Sequence, residues 1–226
     1  MGRWGHCLFE ADNDQDLACH LAVEITGAQD GPEFEALCSF GYAGIAADGN
    51  QVVDGPVLKR IRQKFDAGLG NKLIDKYRAV AVGTNDSWEK HEAKYRVIIL
   101  GALMMGTGAE IRDHDLQHLR RLASEVQCNE KFTLAFADTG FRGPGKRQFL
   151  AALDNYTPGT PRSYNQPSCH ACGKSKQDTG KAPLKCSGCS KGWFCDKDCQ
   201  RSLWSVHKQN CRKALNRGGA FVMLNV

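Results

Sequence analysis

The sequence predicts a mostly α N-terminal domain joined to a small cysteine-rich module that needs metal ions to fold. Three observations lead to this fold class. Apolar residues recur at helical spacing through residues 1–154, and a segment with three prolines and several small polar residues follows at 155–168. Seven of the eleven cysteines then fall between Cys169 and Cys211. We therefore expect a helical domain at 1–154, a flexible linker at 155–168, the module at 169–211 and a C-terminal tail at 212–226.

Six segments of the N-terminal part carry amphipathic or buried helix patterns. Helices are predicted at residues 12–25, 56–65, 72–82, 89–106, 113–126 and 144–156. The segment 89–106 is polar at its start and apolar nearly all round later, which is typical of a central helix enclosed by its neighbours. Residues 131–138 fit either a strand or a further helical turn.

Two features favour an intracellular protein. The longest apolar run, Val97 to Ala109, is shorter than the roughly 18 residues that span a bilayer, so no membrane partner is expected. The N-terminus lacks the apolar core of a secretory signal. Nothing in the sequence decides between cytoplasm and nucleus. Reducing compartments discourage disulfides, so metal binding is the first interpretation of the clustered cysteines.

From Cys169 onward, cysteine and histidine form four consecutive pairs with two or three residues between partners. Thiolate and imidazole are the donors that zinc prefers, and such pairs chelate from a single turn. Buried free cysteines would explain one such pair but not four. Eight ligands predict two tetrahedral zinc ions. The ligands are Cys169, Cys172, Cys186, Cys189, Cys195, Cys199, His207 and Cys211.

The order of these pairs, together with the string CQxxxWxxHKxxC, resembles the MYND zinc finger over residues 169–211. All ligand positions are present, and only the long gap at 173–185 departs from the family; we expect it to form a loop that does not touch the ligands. The resemblance implies an interleaved finger with short strands and a C-terminal helix. It also implies that Cys169, Cys172, Cys195 and Cys199 hold the first zinc, and that Cys186, Cys189, His207 and Cys211 hold the second. His170, inside the first pair, is expected to be exposed.

The resemblance further implies a peptide-binding surface. Four protein ligands leave zinc no open position, so both ions are expected to be structural. A helix from about Asp198 to Cys211 would place Gln200, Trp204 and Lys208 on one face. In MYND fingers this face borders a groove for short, extended, proline-containing peptides of the PxLxP kind, which lose little entropy on binding. The alternative is that Trp204 fills the small core, although Trp193 and Phe194 suit that role better.

Nucleic-acid binding is the second functional hypothesis. Residues 162–226 hold 12 Lys and Arg against 3 Asp, and such charge gives sequence-independent affinity for phosphates. No pattern of base-reading residues accompanies it. The first hypothesis is a protein-interaction adaptor, and the second is a transcription-related regulator whose basic finger contacts nucleic acid.

The N-terminal domain offers no convincing catalytic motif. Gly101 and Gly106 have the spacing of a phosphate-binding loop, but Thr107 stands where lysine is required, so close helix packing is the better reading. His114 and His118 lie four apart, yet no third ligand follows, which favours a solvated helix face. No stretch resembles the NHSC signature of the SET methyltransferases that some MYND proteins contain. The opening MGxWG resembles an uncharacterised fungal family, which implies no activity, and we expect the chain not to be an enzyme.

Overall fold

Seven α-helices and one π-helical turn (Phe65–Leu69) build the N-terminal domain of the computed structural model, which describes residues 2, 4–40, 55–130 and 139–211. The six predicted helices are present, and α2 was not predicted. Residues 131–138 and the tail at 212–226 lie outside the described residues. The helices are α1 (Asp12–Thr26), α2 (Pro32–Cys38), α3 (Gly55–Lys64), α4 (Gly70–Gly83), α5 (Ser87–Thr107), α6 (Asp113–Glu125) and α7 (Gly143–Asp154).

Helix α5 is the centre of this domain, as its apolar pattern predicts. It contacts α1, α3, α4 and α6, and its residues from Val97 to Thr107 are all buried. A Cβ atom on Gly106 would lie 2.1 Å from Cζ of Phe40, and one on Gly101 would lie 2.6 Å from a methyl group of Leu119. These glycines therefore permit close packing and do not form a phosphate loop. No helix in the described residues is long and apolar enough to cross a membrane.

A parallel pair of short strands, β1 (Cys128–Asn129) and β2 (Phe141–Arg142), precedes α7 within the N-terminal domain. Short elements also make up the C-terminal module. The module itself contains α8 (Lys176–Thr179), the antiparallel strands β3 (Leu184–Lys185) and β4 (Trp193–Phe194), α9 (Lys197–Ser202), α10 (Trp204–His207) and a 3₁₀ turn at Lys208–Asn210.

The predicted continuous helix from Asp198 to Cys211 is wrong. Leu203 separates α9 from α10 with φ −99° and ψ 3°, outside the ordinary helical range. The bend lies between Cys199 of the first ligand cluster and His207 of the second. Gln200 and Trp204 therefore lie in different short helices and do not share one helical face.

The predicted flexible linker is packed against the helical domain instead. Tyr164 is buried in the same apolar core as α5, with its ring 5.5 Å from the ring of Phe9. The N–H of Arg162 donates to the carbonyl of Met105 at 2.9 Å. This carbonyl lies in the last turn of α5, where it also accepts from the N–H of Gly108 at 3.1 Å, so the segment adds a second donor at the end of the helix. The limits of the domains stay a prediction.

The long gap in the ligand framework fastens the module to this packed segment. The Arg162 guanidinium forms a two-pronged ion pair with Asp178 of α8, and both side chains are almost completely buried. The amide of Gln177 accepts from the N–H of Ser163 at 2.9 Å and donates to the carbonyl of Pro161 at 3.1 Å. The gap is thus a contact element and not a free loop.

A second contact joins the first cysteine pair to α7. Gly173 approaches this helix so closely that a Cβ atom would lie 1.9 Å from the carbonyl oxygen of Arg147. The Arg147 guanidinium donates to the carbonyl of His170 at 2.6 Å. His170 is buried, with ring contacts to His6 and Phe194, so its predicted exposure is wrong. It is buried because this turn lies between the helical domain and the rest of the module.

We expect Asp178→Ala to destabilise the protein strongly. It leaves the Arg162 charge buried without a partner, which costs about 3–5 kcal/mol of unfolding free energy. Burial alone would raise the pKa of Asp178, but bonds from Arg162 and Ser175 lower it overall. The ion pair is therefore intact at neutral pH and is lost as pH falls through this lowered pKa.

Denaturant unfolding of the zinc-loaded protein measures this effect. Asp198→Ala is the matched control, because the Asp198 side chain is 87% exposed and its ion pair with Arg201 lies on the surface. Similar losses for the two variants would show that the Arg162–Asp178 contact does not hold the module in place.

Candidate metal centre

Four cysteines from two parts of the module form the first cluster. Cys169 and Cys172 come from the turn before the long gap, whereas Cys195 follows β4 and Cys199 lies in α9. Asp196 caps α9 and accepts from the N–H of Cys199 at 2.8 Å. This hydrogen bond fixes the backbone of Cys199 in the first turn of the helix. The ligand atoms of the cluster all lie within 4.8 Å of one another.

Three cysteines and one histidine form the second cluster, whose ligand atoms also lie within 4.8 Å of one another. Cys186 and Cys189 come from the turn between β3 and β4. His207 lies in α10 and Cys211 follows the 3₁₀ turn, so this cluster ties the end of the module to the strand pair. The Nε2 atom of His207 is 3.6 Å from Sγ of Cys189 and is the ring atom that faces the cluster.

The distances within both clusters fit tetrahedral zinc. With Zn–S bonds of about 2.3 Å, ligand sulfurs of a tetrahedral ion lie roughly 3.8 Å apart. The Cys172 and Cys195 sulfurs are 3.6 Å apart, and those of Cys186 and Cys211 are 3.9 Å apart. A disulfide would need about 2.05 Å. The module therefore fits two structural zinc ions, and the interleaved pairing implied by the MYND resemblance is confirmed.

Three thiols of the first cluster have raised pKa values in the absence of metal. Burial raises the pKa of Cys199 to about 12 and also raises the pKa of Cys195. A hydrogen bond with Cys169, reinforced by burial, raises the pKa of Cys172. Cys186 differs, because its hydrogen bond with Cys189 lowers its pKa to about 7. Zinc binds thiolates, so its binding must release protons and must weaken as pH falls.

Gln200 supports the second cluster and is not part of an exposed binding surface. Its side chain is completely buried, and Nε2 donates to Sγ of Cys186 at 3.4 Å. The N–H of Gly188 donates to the same sulfur at 3.4 Å. A thiolate in a closed site is stabilised by such donors. The predicted contact of Gln200 with a peptide is therefore corrected: a partner cannot reach this amide in the folded finger.

Trp204 and Lys208 remain at the surface. The Trp204 ring lies 5.8 Å from the His207 ring, tilted against it, and its side chain is only partly buried. Lys208 is exposed. Phe194 is fully buried 5.2 Å from the His207 ring, so its predicted core role is confirmed. Trp193 is only half-buried, beneath the Lys185 ammonium at 4.8 Å.

Sequence reasoning missed a cleft between the module and the helical domain. It has a volume of about 520 Å³, and its lining includes Trp4, Pro167 and Trp193. These residues belong to three distant segments, so no local pattern indicates the cleft. The capping box from Ser175 to Asp178 was the one local signal that the long gap holds ordered structure.

Comparison with known proteins agrees with the geometry of the two clusters. Residues 169–211 match the family model of the MYND finger. This segment is a MYND finger. A SET and MYND domain-containing protein of Dictyostelium discoideum is 41% identical over 46 residues, which are 20% of this chain and 8% of that protein. The match thus spans a small part of each, and no solved structure matches the chain.

We expect the purified protein to contain two zinc ions per chain at neutral pH. Mass spectrometry under native conditions counts the ions directly. Acidification should release both, because zinc binds thiolates and imidazole, and protons compete with the metal for these ligands. One ion or none at neutral pH would contradict the assignment of eight ligands.

Gln200→Ala tests the supporting role of this amide. The variant removes a donor to Cys186, so we expect zinc affinity at the second cluster to fall by about 10–100-fold. Competition with a chromogenic chelator measures that affinity. Gln209→Ala is the control, because Gln209 is exposed and donates only to a backbone carbonyl. Unchanged zinc release by Gln200→Ala would show that the Gln200–Cys186 contact contributes nothing to metal binding.

Proposed function

We propose that this chain is a non-enzymatic adaptor whose MYND finger binds an extended, proline-containing segment of a partner protein. MYND fingers are zinc-binding modules that generally mediate protein–protein interactions, and this one has a complete ligand set. The observation that carries the proposal is Trp204. Its partly exposed ring packs on His207, a zinc ligand, so its position is fixed before any partner arrives.

Closed coordination supports binding over catalysis. Each cluster offers four protein ligands, which leaves zinc no position for water or substrate. The ions therefore act by fixing the shape of the finger. Seven thiolate ligands also suit a reducing compartment, and we place the protein inside the cell, in cytoplasm or nucleus.

The surface beside Trp204 suits an extended peptide. A rigid aromatic ring provides the flat contact that proline-rich segments prefer, and such segments are already extended before they bind. Lys208 follows one turn after Trp204 and is exposed, so it can donate to peptide carbonyls. Gln200 is buried and donates a hydrogen bond to Sγ of Cys186, so in this proposal it does not contact the peptide.

Nucleic-acid binding is the second candidate, because all eight basic residues of the finger are exposed. An exposed basic surface gives affinity for phosphates that falls steeply with salt. Contact between proline and an aromatic ring changes little with salt, so the salt dependence separates the two candidates. The eight residues are Lys174, Lys176, Lys181, Lys185, Lys191, Lys197, Arg201 and Lys208.

Trp204→Ala should weaken peptide binding by about 10–100-fold and leave the zinc content unchanged, because central aromatic contacts dominate such interfaces. Fluorescence anisotropy with a labelled panel of PxLxP peptides measures this at low and moderate salt. Trp88→Ala is the matched control, since Trp88 is 57% exposed on α5 of the helical domain. Equal affinities for the two variants, or loss of all binding at moderate salt, would reject the proposed peptide site.

A further inference from the structure

A groove on the helical domain runs between helices α4, α5 and α6, and we call it the α4–α6 groove. It consists of two adjoining cavities of about 390 and 370 Å³, which share Arg78, His118 and Arg121 in their linings. No residue of the MYND finger lines either cavity. The groove is therefore a feature of the helical domain and is independent of the peptide surface proposed above.

The larger cavity of the α4–α6 groove has an apolar floor. Ala81, Val97 and Leu122 line it and are themselves buried. Val82 stands beside them and is 79% exposed, the most exposed large apolar side chain in the described part of the chain. One exposed valine is unremarkable, but a valine beside an apolar floor offers a place for an aliphatic side chain of a partner.

The rim of the groove carries excess positive charge. Lys90, Lys94 and Arg121 line it with a single acidic residue, Glu125, which pairs with Lys94 and lies 3.6 Å from Arg121. This excess is local, because residues 1–161 as a whole hold 18 Lys and Arg against 22 Asp and Glu. A cationic rim on an acidic domain selects for an anionic partner.

Arg78, the remaining cation of the lining, is already neutralised within the protein. It pairs with Asp75 and with the fully buried Asp115, and Arg112 pairs with the same two carboxylates. Two arginines and two aspartates thus balance one another. The lysines, arginines and acids of the groove therefore sum to about +2, from the three other cations and Glu125.

Side chains of α6 that can donate hydrogen bonds line the smaller cavity at helical spacing. His114, Gln117, His118 and Arg121 all border it, and His114 and Gln117 are exposed. Arg121 is held in place by a hydrogen bond to Nδ1 of His118 at 2.9 Å. A carboxylate in this cavity would find donors that are already positioned, so little side-chain entropy would be lost on binding.

We propose that the α4–α6 groove binds a short acidic segment of a protein, with an aliphatic side chain over Leu122 and carboxylates at Arg121 and Lys90. An acidic peptide matches both halves of the groove, the apolar floor and the cationic rim. Nucleic acid matches less well, because neither lining contains Phe, Tyr or Trp for base stacking and the apolar floor offers nothing to a phosphate backbone. The chain then carries two separate partner sites.

Anisotropy of the full-length, zinc-loaded protein with a short fluorescein-labelled peptide, in which Asp and Glu flank a pair of leucines, tests the proposal. Arg121→Glu should weaken binding at least about tenfold. Lys59→Glu is the matched control, because it makes the same charge change at an exposed position of α3 outside the groove. Val82→Asp should weaken binding similarly, and at 79% exposure it leaves the core intact. Trp204→Ala should leave the affinity unchanged.

Two controls examine the ligand. The same peptide with serines for the leucines should bind at least about tenfold more weakly, and a single-stranded oligonucleotide of equal charge should bind more weakly than the leucine peptide. Equal weakening by Arg121→Glu and Lys59→Glu, no measurable binding of the leucine peptide, or tighter binding of the oligonucleotide would each overturn the proposal.

Discussion

Zinc coordination by residues 195–211 is the constraint on which the finger depends. This segment supplies Cys195 and Cys199 to the first ion and His207 and Cys211 to the second. The apolar core of the finger is small, so without the ions too little surface is buried to offset the entropy of ordering the chain. The bend at Leu203 lies between the two pairs of ligands that this segment supplies.

The same constraint extends into the helical domain. The turn that presents Cys169 and Cys172 also carries His170 and Gly173, which contact α7 and the N-terminal segment. The gap between the first two cysteine pairs then reaches back to the segment that packs on α5. Metal binding therefore orders both the finger and its contact with the helices. Zinc removal should destabilise the finger and also the part of the helical domain that it contacts.

Local features of this protein could be read from its sequence, and contacts between distant segments could not. Ligand spacing identifies the zinc residues, and apolar period identifies α5, because both patterns are contained in single stretches of chain. The burial of Gln200 depends on where Cys186 lies in space, fourteen residues earlier. The prolines at 155–168 suggest a flexible linker, yet the Arg162–Asp178 pair is formed across two polar segments that each look solvated alone. The pairing of ligands required the family resemblance, since spacing permits other arrangements.

Rigid attachment of the finger to the helical domain would fix the geometry between the two proposed binding sites. With a flexible linker, two partner sites would act at an effective concentration set by the length of that linker. Here the finger is held to the helices by a buried ion pair and close backbone contacts, so the direction from one site to the other is fixed by the fold. If both proposed sites bind as described, a partner that carries a proline-containing and an acidic segment must span that fixed separation with its own chain. With a connecting segment that is too short, the two proposed sites would bind separate partners, and the protein would bring those partners together.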